Sequence, residues 1–199
     1  MSHRTKKNPL PRKIRGPLLV LEWRKSLVEI LHRPDSELAG HQAFKPDQKL
    51  LALWAADCAG HVLPFFEEKY PDDDRPRKAI GTCRTWAATG VFRMAVIRKA
   101  SLESHAAARF ARDHGEEAAC FAARAAGHSV ATTHVPDHSV GAAVYAIQAA
   151  VAHSRDLDEG MIREREWQLR RLIEHVRSKR AGTGGPERKA SGEAKDQVR

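Results

Sequence analysis

Three groups of side chains in this sequence have types and spacing that reaction centres and binding sites use. Asp57 and His61 stand four apart, where a carboxylate can orient an imidazole on one flank of a helix. His128, His134 and His138 collect around Asp137. The stretch EKYPDDDRPRKAI, residues 68–80, sets Asp72, Asp73 and Asp74 against Arg75, Arg77 and Lys78, with Glu67 just before it.

None of the three makes a complete reaction centre in sequence. A calcium loop alternates its carboxylates around a glycine and closes with a distant glutamate, which DDDRPRK does not do. Zinc chemistry of the HExxH kind needs both histidines on one continuous helix, and Pro136 lies between His134 and His138. A histidine and an aspartate act as a general base only beside a nucleophile or a third orienting group, and neither accompanies Asp57 and His61. The late glycines of AGTGGPE lack the GK[ST] ending and the preceding strand of a phosphate loop. The sequence therefore assigns no catalytic residue, no metal ligand and no cofactor, and it reads Asp57 and His61 as a local structural pair.

The aspartate run is better explained as a helix start. Asp74 is placed to accept from the free N–H groups of the next turn, Asp72 and Asp73 stand where the helix dipole favours negative charge, and Pro76 suits a first turn. Arg75 and Arg77 can then pair with these carboxylates or with Glu67 and Glu68. On this reading Asp74 carries stability, and Asp72 and Asp73 belong to the surface.

The elements that must position these groups all read as helices. Residues 1–16 read as a disordered basic tail, and 17–46 as an amphipathic helix, with Trp23, Leu27, Ile30 and Leu31 at helical spacing, followed by a linker. The main domain, 47–178, opens on Asp47 as an N-cap and continues with a stripe of Leu51, Trp54, Ala55, Cys58, Ala59, Val62 and Phe66. A second helix turns Ala79, Ile80, Cys83, Trp86 and Ala87 inward and stops at Gly90. Helices are also expected over 92–113, with a break near Ser101 and a stop at Gly115, and over 116–134, 137–153 and 158–178. In the last of these, Ile162, Leu169, Ile173 and Val176 should face inward. No segment alternates like a strand, so the fold class is all-α: a compact antiparallel bundle of five to six helices, with stacked helix pairs as the variant. Residues 179–199 read as a second disordered basic tail.

The net charge of +9 suggests nucleic acid until the charges are placed. Residues 1–15 hold six basic side chains and no acidic one, residues 176–199 hold seven against three, and residues 16–175 hold 21 basic against 22 acidic. A folded nucleic-acid reader keeps its basic patch on ordered structure, so these tails offer non-specific contact at most. Cys58, Cys83 and Cys120 form no CxxC pair and suit core positions in a reducing compartment. With no leader-like apolar segment and no run of eighteen apolar residues, the expected setting is the cytoplasm, without membrane insertion.

Three stretches carry a family resemblance: LWAADCAGHVLPFFEEKYPDDDRPRKAIGTCRTWA (53–87), ARAAGHSVATTHVPDHSVGAAVYAIQA (123–149) and EREWQLRRL (164–172). Together they resemble a family of helical bacterial proteins described as putative immunity proteins of polymorphic toxin systems, over about residues 47–176. The most specific part is LPxFExxxPDDxRPRxAI followed by TWA, and the second is HxxHxxGAAxYAxxA; Asp57, His61, Asp74, Pro76, Trp86 and Trp167 lie within the matching stretches as structural positions. Two features depart from the family pattern: about forty additional residues come first, and Ile173 follows Leu172 where relatives tend to carry proline.

The resemblance implies a non-enzymatic domain that neutralises a cognate toxin by protein–protein contact. Were that toxin basic, Glu67, Glu68, Asp72 and Asp73 would form the natural acidic contact, with Arg75 and Arg77 among them and His134 and His138 at a neighbouring corner. Two alternatives stay open on the residues alone. One is a small-ligand or enzymatic site in which Asp57, His61, Arg75, Arg77, His134 and His138 converge between helices. The other is a nucleic-acid accessory protein acting through its basic tails. The oligomeric state is not legible.

Overall fold

Proline and glycine cut the chain into its helices. The computed structural model describes residues 48–183, with side chains through residue 179. Asp47, the expected helix within 17–46 and the tails up to residue 16 and from 184 lie outside the described residues. The elements are α1 Gln48–Val62, α2 Pro64–Glu67, α3 Arg75–Thr89, α4 Met94–Asp113, α5 Glu117–Ala131, α6 His138–His153 and α7 Leu157–Thr183, with no strand among the described residues. The all-α expectation and the helix count hold: six long helices and the single turn α2.

The stripe expected to continue from Leu51 to Phe66 is divided at Pro64, which has no N–H to donate and so opens α2. Gly90 ends α3 at φ 71°, where its N–H donates to the carbonyl of Trp86, and Gly115 turns the chain from α4 to α5 at φ 79°. Helix α1 is the centre, packed against α3, α5, α6 and α7, while α4 lies on α3 and α5. Trp54 and Cys58 are fully buried along it, and Phe66 of α2 continues that face. Much of the remaining core is alanine: Ala122 and Ala126 of α5 and Ala143 and Ala146 of α6 are fully buried, so the helix axes approach closely. The segment Gln48–Glu67 is long and apolar enough to cross a bilayer, yet most of it is buried among the other helices, as the core helix of a globular domain would be.

Three local expectations need correction. Helix α4 does not break at Ser101, because Ser101 and Ser104 donate to the α5 carbonyls of Gly127 and Ala123 at 3.0 and 2.7 Å and are satisfied within an unbroken helix. Ile162 is exposed; the buried positions of α7 are Glu164, Gln168, Leu172 and Val176, an i, i+4 row of which half is polar. Apolar counting cannot find the phase of such a row. Helix α7 also runs to Thr183, past residue 178 where the second tail was expected, carried by the good helix formers Lys179, Arg180 and Ala181 and ending before Gly184, Gly185 and Pro186. Ile173 sits inside this helix, and proline at that position would interrupt it.

Candidate functional site

The expected site residues fall into three separate places. The first is the corner between α2 and α3, where the division of labour among the aspartates is the reverse of that expected. Asp74 occupies the N-cap position without a side-chain cap bond, and its carboxylate instead meets Lys78 at 2.9 Å on the surface. Asp73 does the capping work. Its Oδ1 accepts from the Arg75 backbone N–H at 3.2 Å and from Nε at 2.8 Å, and its Oδ2 accepts from Nη2 at 2.6 Å. That fork holds the Asp73 carboxyl below the usual carboxylate range. Pro76 is buried in the first turn of α3, and Trp86 packs half-buried on the core. Arg77 reaches back to Glu67 at 2.6 Å, and Lys69 pairs with Glu116 at 3.2 Å.

The corner's acidic run is therefore largely neutralised within itself. Glu68 and Asp72 are exposed and take no ion-pair partner among the described residues. Beside them opens a recess of about 400 Å³ lined by Lys69, Tyr70, Pro71, Asp72, Asp73, Arg75 and Phe110. Tyr70 and Phe110 meet edge-on in it at 5.5 Å, and Phe110 is 46% exposed.

The second place is a cleft of about 550 Å³ formed from residues of α1, α3 and α7, which brings together Asp57, His61, Arg77 and Trp167. Asp57 and His61 share the cleft but not a bond, so the expected local pair is not formed. Asp57 accepts from Arg84 Nη2 at 3.0 Å, Arg171 Nε at 2.7 Å and His175 Nε2 at 2.8 Å. Burial alone would raise its pKa, but the hydrogen bonds from His175 and Arg171 outweigh it and hold the carboxyl at about 2. His61 turns to α7, where Nδ1 donates to Glu164 Oε2 at 2.8 Å and the ring stacks on Trp167 at 3.9 Å, 4° from parallel. Glu164 is almost fully buried and accepts from Gln168 Nε2 at 2.8 Å, while that amide also donates to the carbonyl of Ala143. Buried polar groups persist when they are joined in this way.

The third place is a groove of about 250 Å³ lined by Met94, Arg98, Ser101, Leu102, His105, His128, Ala131, His134 and His138. The Nδ1 atoms of His128 and His138 share a hydrogen bond of 3.2 Å, and the rings of His134 and His138 lie 5.5 Å apart. Close helix contacts fix two of these rings: a Cβ at Gly127 would come within 2.7 Å of His105, and one at Gly141 within 2.6 Å of His128. Burial, reinforced by neighbouring Arg124 and His138, pulls His105 and His128 down to about 4. No group of three or more potential ligands in metal-binding geometry occurs among the described residues.

The convergence expected of Asp57, His61, Arg75, Arg77, His134 and His138 is thus split: the cleft takes Asp57, His61 and Arg77, the corner takes Arg75, and the groove takes both histidines. Sequence reasoning missed Glu164, Gln168, Arg171 and His175, whose partners on α1 lie about a hundred residues away, and His105 and Phe110, which stood in a helix of poor apolar phase. The three cysteines are buried and unpaired, and burial pushes Cys83 up to about 12, so these thiols are inert packing groups.

Comparison with known proteins agrees with the resemblance carried by the corner and the α5–α6 turn. No curated protein and no solved structure matches the chain. A family model does match, across residues 42–175, which takes in nearly all of α1 to α7 together with the corner, the cleft and the groove, and by that match the chain belongs to the Imm-5 like putative immunity protein family.

Proposed function

We propose that this protein is an immunity protein of a polymorphic toxin system that neutralises its cognate toxin by direct contact, without chemistry of its own. The observation that supports the corner as the contact surface is its recess. Tyr70 and the half-exposed Phe110 form an aromatic floor inside a rim of Lys69, Asp72, Asp73 and Arg75. Aromatic and arginine side chains anchor protein interfaces, and a charged rim gives partner choice and rapid encounter. Arg75, fixed by Asp73, is presented without further loss of side-chain freedom. Glu68 and Asp72 supply the acidic contacts for a basic toxin surface. The setting is the cytoplasm, which suits three free buried thiols.

The test is co-expression with a toxin-like protein encoded beside this one. Relief of toxicity and co-purification are expected, and both should weaken with Asp72→Lys or Phe110→Glu, two surface changes. If neighbouring toxin-like proteins are neither bound nor detoxified, the reading is wrong.

A further inference from the structure

The cleft made by α1, α3 and α7 has a chemistry that the corner does not use, and we infer that it binds a phosphorylated small molecule. Four guanidiniums, those of Arg77, Arg84, Arg170 and Arg171, ring an open volume of about 550 Å³ against two lining carboxylates, Asp57 and Glu174. Asp57, at 13% exposure, is the anchor beneath them: one carboxylate holds Arg84, Arg171 and His175. These bonds fix the guanidiniums before a ligand arrives and use few of their donors. Among the described residues, Arg84 keeps Nε and Nη1 and Arg171 keeps Nη2. Arg170 meets Glu166 only at 3.9 Å, too far for a hydrogen bond. His61 commits Nδ1 to Glu164 and is held in place as part of the α1 side of the cleft. Fixed, unused guanidinium N–H donors from α3 and α7 around one cavity are what a multiply charged oxyanion requires.

Charge selects among oxyanions. Each arginine already has a carboxylate near it, from Glu67, Asp57, Glu166 or Glu174, so a carboxylate ligand offers nothing the cleft lacks. A phosphate group brings up to about two charges and several acceptor oxygens to one point, enough to engage more than one guanidinium at once. The volume lies within the roughly 300–1,000 Å³ of small-molecule pockets, and the parallel His61–Trp167 stack gives a flat wall for the organic part of the ligand. Gly81 lines the cleft from α3, and an added Cβ there would meet nothing within 4 Å.

The experiment uses the full chain and sodium pyrophosphate as probe, followed by calorimetry and thermal melts, with sodium succinate and sodium chloride at matched ionic strength as comparisons. Pyrophosphate should bind saturably and raise Tm, and the two comparison salts should not. Arg170→Gln, which loses no hydrogen bond among the described residues, should weaken pyrophosphate roughly tenfold or more at unchanged ligand-free Tm. Gly81→Leu, which sends a side chain into the cavity from an exposed helix position, should abolish binding and leave the fold intact. Absence of saturable binding would overturn the inference. So would an equal response to succinate, or pyrophosphate binding unchanged in both variants, which would place the anion on the basic tails instead.

Discussion

Acidification should destabilise this protein well above the pH at which its carboxylates titrate, because the groove histidines are held neutral. His105 and His128 are pulled to about 4 by burial, with Arg124 and His138 as neighbouring causes for both, Arg109 besides for His105 and His105 besides for His128, against an ordinary value of 6.5. A histidine whose folded value is depressed binds its proton more readily when unfolded. Its contribution is therefore complete above 6.5 and is lost progressively as pH falls toward 4. For one such group the loss between about pH 7.5 and about pH 5 comes to about 2 kcal/mol. Both rings keep part of their surface in water and interact with one another, so the sum is roughly halved, to about 2 kcal/mol for the pair. Urea denaturation at several pH values measures this directly, with the slope of stability against pH as the readout. Replacing both histidines by glutamine should flatten that slope, whatever it does to stability at neutral pH. A wild-type protein equally stable at both ends of the window, or a double variant with the wild-type slope, would refute the reasoning.

At the corner, Asp73→Ala should cost about 1–2 kcal/mol, because it removes a bond to the Arg75 N–H and a two-pronged ion pair, whereas Asp74→Ala should cost a few tenths, as expected of an exposed i, i+4 pair; chemical denaturation ranks them. In the cleft, Asp57→Asn should cost about 2 kcal/mol at neutral pH, since Arg84, Arg171 and His175 lose one shared anion. The wild-type contribution of Asp57 should vanish only as pH falls from the ordinary carboxylate range through about 2. Gly90→Val should destabilise by more than about 1 kcal/mol in thermal melts, because a β-branched residue is strained at φ 71°.

The helices were legible wherever their phase was carried by apolar side chains. The stripe from Leu51 to Phe66 and the alanines of α5 announce themselves by spacing, and Gly90 and Gly115 by chemistry. Legibility failed where the buried face was polar. Glu164 and Gln168 look like solvent residues in EREWQ, and only His61, Ala143 and Trp54 arriving from other helices make them interior. The aspartate run shows a subtler limit. That it starts a helix was readable, but which carboxylate would turn inward depended on the fork of Arg75, a side-chain choice that capping rules do not encode. Asp57 and His61 had the right spacing for each other and found stronger partners on α3 and α7, since a contact available within one helix is shallow beside a buried carboxylate or two guanidiniums.

The central claim, neutralisation through the corner between α2 and α3, is tested most directly by titrating the purified protein into the purified toxin-like partner while following both complex formation and toxin activity. A saturable complex is expected whose formation parallels loss of toxin activity, weakened by Asp72→Lys at unchanged Tm and by Phe110→Glu, and untouched by Arg170→Gln in the cleft. A complex that both corner variants form as tightly as the wild type, or an inhibited toxin with no complex at all, would contradict it.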